Sequence, residues 1–185
     1  MDALNDTIHS IEHDEYIKRL GAYVEGHIKI YLEEAFAGTG ITVSNQQCGQ
    51  DFILSKDGYD DYYIEVKSRW ESDQSVEMTV TQFNLAVEEP ERYALLSVNM
   101  YHFDRLRVEQ NDPVALHEIY SNIKCLDNIG FLEKDLKVRA DEAFKGGEND
   151  IRLDGAYKVR APQSIFDANQ LDFNGLLGKI ISKFS

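Results

Sequence analysis

The sequence predicts an α/β protein: a mixed β-sheet flanked by helices, with a helix–three strands–helix–strand core (αβββαβ) and a C-terminal helical extension. Three observations predict it. Apolar residues recur at helical spacing from Tyr16 to Phe36. Two short segments, at residues 51–54 and 62–68, alternate apolar and polar side chains, as strands with one buried face do. The run Tyr93–Val98 is largely apolar, which is typical of a buried strand.

Glycine, threonine and proline set the boundaries of these elements. The first helix ends at Gly38-Thr39-Gly40. A second helix is introduced by Thr79 and stopped by Pro90, which lacks the N–H that a helix interior needs. Between them we predict a strand at residues 41–47, a hairpin turn around Asp57-Gly58 and a polar loop at residues 71–77.

The second half of the chain carries weaker patterns. They predict a helix at Pro113–Leu126, a surface loop at residues 139–150, an edge strand at Ala156–Val159 ended by Pro162, and a closing amphipathic helix from Phe173 to Phe184. We expect a polar lead-in at residues 1–15, a core at residues 16–100 and an extension at residues 101–185 that packs on the core within one domain.

Composition limits the classes of function. The chain has 33 acidic and 19 basic residues and a formal charge of −14. Such a chain repels polyphosphate at long range, so contact with nucleic acid is expected to need a local basic patch, a bound divalent metal or another subunit. The sequence has no apolar run of about 18 residues, which argues against a membrane span. The two cysteines, Cys48 and Cys125, are too few for a disulfide framework and favour a reduced, cytoplasmic setting.

The most informative feature is a group of charges on the predicted hairpin. Alternation places Asp51, Glu65 and Lys67 on one face and leaves the apolar residues between them on the other. A hairpin that folds about Gly58 sets Asp51 opposite Glu65, and one that folds about Tyr59 sets it opposite Lys67. In either register two carboxylates and an ammonium converge, although such a cluster adds no stability to a sheet.

A divalent cation would relieve the repulsion between the two carboxylates. Mg²⁺ prefers oxygen ligands and commonly binds one or two carboxylates together with water and substrate phosphate, so Asp51 and Glu65 suit it, and Mn²⁺ can substitute. Lys67 lies on the same side of the strand. There it could orient or deprotonate a water bound to the metal, or neutralise charge that develops on a scissile phosphate.

Asp51 followed by Glu65-x-Lys67 resembles the PD-(D/E)xK nuclease superfamily. More narrowly, the segments Gly58-Tyr59-Asp60, Tyr63–Ser68, Thr81-x₅-Val87 and Tyr93–Val98 look like the NO VEIN C-terminal-like domain. The resemblance covers roughly residues 16–100, with weaker similarity in the closing segment. It implies a restriction endonuclease-like fold, often a module of larger restriction or phage-defence proteins, with two-fold assembly common in restriction-type enzymes.

The resemblance also implies roles for individual residues. Asp51, Glu65 and Lys67 map to the metal-binding and catalytic positions. Glu25, on the first helix, stands where the superfamily often adds a glutamate to the metal site. Gln82 stands where many members carry a polar residue near the site. The proline that usually precedes the first aspartate is replaced here by Gln50.

Each of these residues also has a structural explanation. Glu25 flanks an apolar stripe and could simply be solvated, and Gln82 could be a polar residue at a helix start. Arg69, Trp70 and Lys56 are the candidate contacts to nucleic acid, through phosphate for the cations and base stacking for the tryptophan. A tryptophan at the end of a strand is, however, more often packing.

Three functions therefore stay open. The first is a Mg²⁺-dependent endonuclease that hydrolyses phosphodiester bonds, in DNA by preference. The second is a catalytically silent module that keeps the nuclease fold and acts in protein or nucleic-acid interaction. The third, weaker, is an acidic DNA mimic that inhibits a nucleic-acid enzyme. The partners implied are nucleic acid and either a second copy of the chain or a larger assembly, with no membrane.

Overall fold

A computed structural model describes residues 2–45, 50–71, 75–110, 116–132, 152–153, 159–169 and 171–185. The first half of the chain contains α1 (Asp2–Ala35), β1 (Thr42–Ser44), β2 (Phe52–Ser55), β3 (Tyr62–Arg69), β4 (Val76–Met78), α2 (Val80–Glu88) and β5 (Tyr93–Asn99). The second half contains α3 (Arg105–Glu109), α4 (Leu116–Tyr120), β6 (Ile123–Leu126), α5 (residues 129–132 as described), β7 (Arg152–Leu153), β8 (Val159–Ala161), α6 (Gln163–Asn169) and α7 (Phe173–Lys183). The predicted α/β class, with helices around a mixed sheet, is confirmed.

The main sheet has five strands in the order β1-β2-β3-β5-β6. The first three strands form an antiparallel meander, β5 runs parallel to β3, and β6 returns antiparallel to β5. A second sheet of three strands has the order β4-β8-β7. Strand β6 comes from the extension, so the main sheet unites both halves of the chain.

Both faces of the main sheet are covered, which explains why β5 is apolar along most of its length. One face carries the even-numbered residues of the hairpin, and α1 and α7 pack against it; its fully buried members include Phe52, Ile64, Val24, Ile28 and Leu176. The other face packs against α2, α6 and the small sheet through Tyr93, Leu95, Phe83, Ala86 and Phe166. The alternation predicted for the hairpin is therefore the alternation observed.

Helix α1 ends where the sequence indicates, since Gly38 and Gly40 have φ of 77° and 80°, values that favour glycine. It begins earlier than expected. The segment taken as a polar lead-in forms its first turns, and no glycine or proline interrupts the chain before Gly21. In the described part of the chain, no helix is long and apolar enough to cross a membrane.

Three other predictions need correction. The loop expected at residues 71–77 includes Val76 and Glu77 of β4. The helix expected at Pro113–Leu126 is described as the short α4 followed by β6, because Ile123–Leu126 pairs with the open edge of β5. The strand expected at Ala156–Val159 is described only from Val159, and β8 is the central strand of its sheet rather than an edge.

The loop predicted at residues 139–150 and the thiol of Cys48 lie outside the described residues. Cys125 is buried as a free thiol, and burial raises its pKa. The helix predicted over Thr79–Glu88 and the closing helix predicted from Phe173 are both confirmed, as α2 capped by Thr79 and α7 capped by Asp172.

Gly130 provides a test of how tightly the extension packs on the core. A Cβ at this position would overlap the carbonyl oxygen of Ala86 and lie 2.7 Å from Cα of Pro90. Because both obstacles are backbone, we expect Gly130→Ala to lower the free energy of unfolding by at least about 2 kcal/mol in a urea titration. Gly26→Ala is the control, since a Cβ there meets no atom within 4 Å. A cost no larger at Gly130 than at Gly26 would contradict this packing.

Candidate active site

Two adjacent strands bring the predicted carboxylates and lysine together. The register of β2 and β3 pairs Phe52 with Ile64. Continued by one residue, it sets Asp51 opposite Glu65, as expected for a hairpin folded about Gly58. The Nζ atom of Lys67 lies 2.5 Å from Oε1 of Glu65. Asp51, Glu65 and Lys67 therefore form one group at the start of β2 and the middle of β3.

Backbone hydrogen bonds hold the carboxylate of Asp51. The N–H of Val66 donates to Oδ2 of Asp51 over 2.7 Å, and the N–H of Asp51 donates to the carbonyl of Ile64 over 3.1 Å. Burial raises the pKa of Asp51, and the hydrogen bond from Val66 and the charge of Lys67 oppose that rise. The sequence could not indicate the contribution of Val66, because it is made by a main-chain group.

Glu65 is the most deeply buried acid of the group, with 1% of its surface exposed. Burial raises its pKa to about 8, and the neighbouring Asp51 adds to the rise while Lys67 opposes it. Oε1 receives hydrogen bonds from Lys67 and from Gln82, but Oε2 is buried and has no donor among the described residues. When Glu65 carries a proton it can share that proton with Asp51.

Gln82 serves two purposes at once. In the capping box of α2 its Oε1 accepts a hydrogen bond from the N–H of Thr79 over 2.7 Å, while its own N–H donates to the hydroxyl of Thr79. Its Nε2 donates to Oε1 of Glu65 over 2.5 Å. The helix-start explanation and the site explanation for Gln82 are therefore compatible, since the cap orients the amide towards the acid.

Glu25 approaches the group from α1. It is half-buried, and its pKa is raised by burial first and by the charge of Asp51 second, with Lys67 opposing both. Its Oε1 lies over Gly21, one turn towards the helix start, where a Cβ would be 3.7 Å away. The arrangement thus brings Glu25 into electrostatic contact with Asp51 and Lys67.

Of the three residues predicted to contact nucleic acid, Arg69 and Trp70 are buried. Arg69 is 4% exposed, and its Nε donates to the hydroxyl of Ser97 over 2.9 Å. Trp70 is part of the core, so the packing explanation fits it better than stacking on a base. Lys56 donates to the carbonyl of Phe184 at the turn end of the hairpin, away from Asp51.

The donors of this site suit a hard cation. Across the described part of the chain, no three or more His, Cys, Asp and Glu side chains are grouped closely enough to hold a metal ion by themselves. Mg²⁺ does not require such a group, because it commonly takes one or two carboxylates and completes its shell with water and phosphate. The buried Oε2 of Glu65, which receives no hydrogen bond, and the nearby Asp51 fit that requirement.

The fold and the site define a class: a mixed α/β protein with two buried carboxylates and a lysine on adjacent strands of its sheet. Residues 27–109 match the family model described as Protein NO VEIN, C-terminal. The match runs from α1 to the end of α3 and includes Asp51, Glu65, Lys67 and Gln82, but begins after Glu25. No curated protein matches the chain.

The raised pKa of Glu65 makes stability depend on pH. Below about pH 4.5 both the folded and the unfolded chain carry the proton, and above it only the folded chain keeps it, up to about pH 8. Metal-free wild type should therefore lose stability across this window relative to Glu65→Gln, by at most about 1.4 kcal/mol per pH unit. Urea unfolding in EDTA between pH 5 and pH 8 measures the difference.

The control for this experiment is Glu71→Gln, which removes an exposed carboxylate just after β3. The free energy of unfolding could instead differ between wild type and Glu65→Gln by the same amount at every pH from 5 to 8. That result would show that the surroundings of Glu65 do not hold it protonated.

Proposed function

We propose that this protein is a Mg²⁺-dependent nuclease that hydrolyses phosphodiester bonds in DNA, with Mn²⁺ able to replace Mg²⁺. The observation that carries the proposal is the environment of Glu65. In its charged form, a buried carboxylate with one oxygen that receives no hydrogen bond, beside a second buried carboxylate, is unfavourable unless a cation binds there. Burial of this carboxylate lowers the stability of the fold, so a functional role explains it better than a structural one.

Asp51 and Glu65 would hold the metal, and Glu25 would assist, through a water molecule. The metal would supply Lewis-acid stabilisation of phosphate charge and a more acidic water. Asp51 is already oriented by the N–H of Val66, and Glu65 by Gln82, so both carboxylates need little reorganisation to bind a cation.

Lys67 would act on the reacting groups. The side chain of Lys67 is 27% exposed, and its ammonium lies beside Glu65. The ammonium can therefore reach a phosphate at the solvent-facing side of the site. There it would orient the attacking water or offset negative charge on the phosphate. The ion pair with Glu65 holds the ammonium of Lys67 next to the carboxylates that would bind the metal.

The resemblance to the PD-(D/E)xK superfamily supports this assignment. The element order, the position of the acids and lysine, and the family match over residues 27–109 all agree with it. Gln50 in the place of the usual proline is a departure. We further propose that the protein acts in the cytoplasm within a restriction or phage-defence system, as a homodimer or with a larger partner.

Lys67→Met is the direct test of catalysis. We expect at least about a 100-fold loss of cleavage of plasmid DNA with Mg²⁺, because a positioned acid–base or charge-stabilising group is removed. Lys179→Met is the matched control, since Lys179 is also ion-paired, to Asp127 over 2.7 Å, but lies on the closing helix α7. Urea unfolding would confirm that both variants fold. Full activity in Lys67→Met would remove this residue from the mechanism.

A second candidate is a silent module that keeps the fold for interaction. Two observations favour it: Lys67 already supplies a positive charge to Glu65, and the chain is strongly acidic. A metal-free protein in which the ammonium satisfies the acid needs no Mg²⁺ to fold.

Calorimetry separates the two functions. The nuclease proposal predicts that wild type binds Mg²⁺, that Asp51→Asn abolishes binding, and that affinity increases from pH 6 to pH 8 as Glu65, with a pKa of about 8, loses its proton. If wild type does not bind Mg²⁺ at pH 8, and Asp51→Asn gives the same calorimetric result as wild type, the interaction module is favoured.

A further inference from the structure

A pocket lies at the end of β5, the strand that pairs with the strand of Lys67. Its volume is about 250 Å³, and it is lined by Asn99, His102, Phe103, Glu118, Ser121 and Asn122. That volume is below the roughly 300–1,000 Å³ of pockets for drug-sized ligands, which favours a ligand as small as one heterocyclic ring system. We call it the Asn99 pocket.

The sheet places this pocket close to Lys67. Lys67 pairs with Ser97 on the parallel strand β5, and Asn99 is two residues further along that strand. Two residues along a strand and one strand across give a Cα separation of roughly 8 Å. A nucleic acid whose phosphate meets Lys67 would therefore have a neighbouring base within reach of the pocket.

The walls of the pocket combine rings with amide groups. The exposed His102 presents an aromatic ring that meets Tyr101 edge-on at 4.6 Å, while the ring of Phe103 is partly buried and carries the guanidinium of Arg107 at 5.2 Å. Asn99 accepts from the N–H of Tyr101 and Asn122 donates to the carbonyl of Glu118. Within the described residues, Nδ2 of Asn99 and Oδ1 of Asn122 keep no other partner.

Two further residues of the pocket, Glu118 and Ser121, already have partners among the described residues. The carbonyl of Glu118 accepts from Ser121 and Asn122, and its carboxylate pairs with Arg107 over 2.9 Å. The pocket thus offers the amide N–H of Asn99, the amide oxygen of Asn122 and the exposed imidazole of His102. That pattern complements the hydrogen-bonding edge and the flat face of a nucleobase.

A cation stands at the edge of the same surface. Arg105 is exposed, its guanidinium lies 5.8 Å from the ring of Trp70, and it has no carboxylate partner among the described residues. It is placed to meet a sugar–phosphate backbone where the acidic chain otherwise repels one. Tyr101 is 48% exposed, and its ring contacts His102 of the pocket.

We propose that the Asn99 pocket receives one unpaired nucleobase of the substrate, with Arg105 on the adjoining backbone. A paired base within a duplex stack cannot enter a pocket of this kind, so the substrate class is single-stranded nucleic acid or a duplex with a displaced base. This inference rests on the proposed function, since it uses the position of Lys67 to align the strand.

Ser121→Trp fills the pocket and is the main test. The matched control is Ser182→Trp: both serines are exposed, and each hydroxyl donates to a preceding backbone carbonyl, over 2.9 Å in Ser121 and 3.0 Å in Ser182. His102→Ala, which removes an exposed ring, is a second pocket variant. The probe is a labelled single strand of about 12 nucleotides, compared with the same sequence in a fully paired duplex.

Binding is measured by fluorescence anisotropy in EDTA, so no cleavage is needed. We expect wild type and Ser182→Trp to prefer the single strand, and Ser121→Trp and His102→Ala to lose about tenfold in affinity for it, the worth of one stacked base. Equal binding of single strand and duplex by wild type, or unchanged binding by Ser121→Trp, would overturn the proposal.

The outcomes distinguish the two proposals. Pocket-dependent binding without Mg²⁺-dependent cleavage would keep the pocket and remove the nuclease. Cleavage that depends on Lys67 but is unaffected in Ser121→Trp would keep the nuclease and remove the pocket.

Discussion

The burial of Glu65 is the constraint on which the rest of the structure depends. A charged carboxylate inside a sheet covered on both faces is unfavourable, and burial accordingly raises the pKa of Glu65 to about 8. The chain offsets the cost with the ammonium of Lys67 and the amide of Gln82, yet leaves one oxygen without a donor within the described residues. In the proposed function, a bound cation would relieve this cost.

The surrounding elements are arranged to hold that acid. The capping box fixes the first turn of α2 and, with it, the amide that contacts Glu65. The main-chain N–H of Val66 donates to the carboxylate of Asp51. The orientation of this second carboxylate therefore depends on strand pairing rather than on another side chain. The extension covers both faces of the sheet and adds β6 to its edge, which keeps the site in a rigid frame.

Most of the described arginines outside the site are engaged by acids or buried, and Arg105 differs from them. Three of the exposed or half-exposed arginines, Arg92, Arg107 and Arg160, are paired with acids, and Arg69 is buried. Arg105 stands apart from them, because it covers the ring of Trp70 and faces solvent. In the proposed function, this guanidinium would meet the substrate backbone at short range, aided by stacking.

The sequence by itself determined the elements whose patterns are local. Helical spacing located the core of α1 and α7, the Thr79 cap located α2, and alternation placed Asp51, Glu65 and Lys67 on one face. Tertiary structure decided the rest: the register about Gly58 rather than Tyr59, the pairing that made Ile123–Leu126 a strand, and the burial of Arg69. These depend on which edge or helix lies alongside, and contacts between residues distant in the chain leave no period in the sequence.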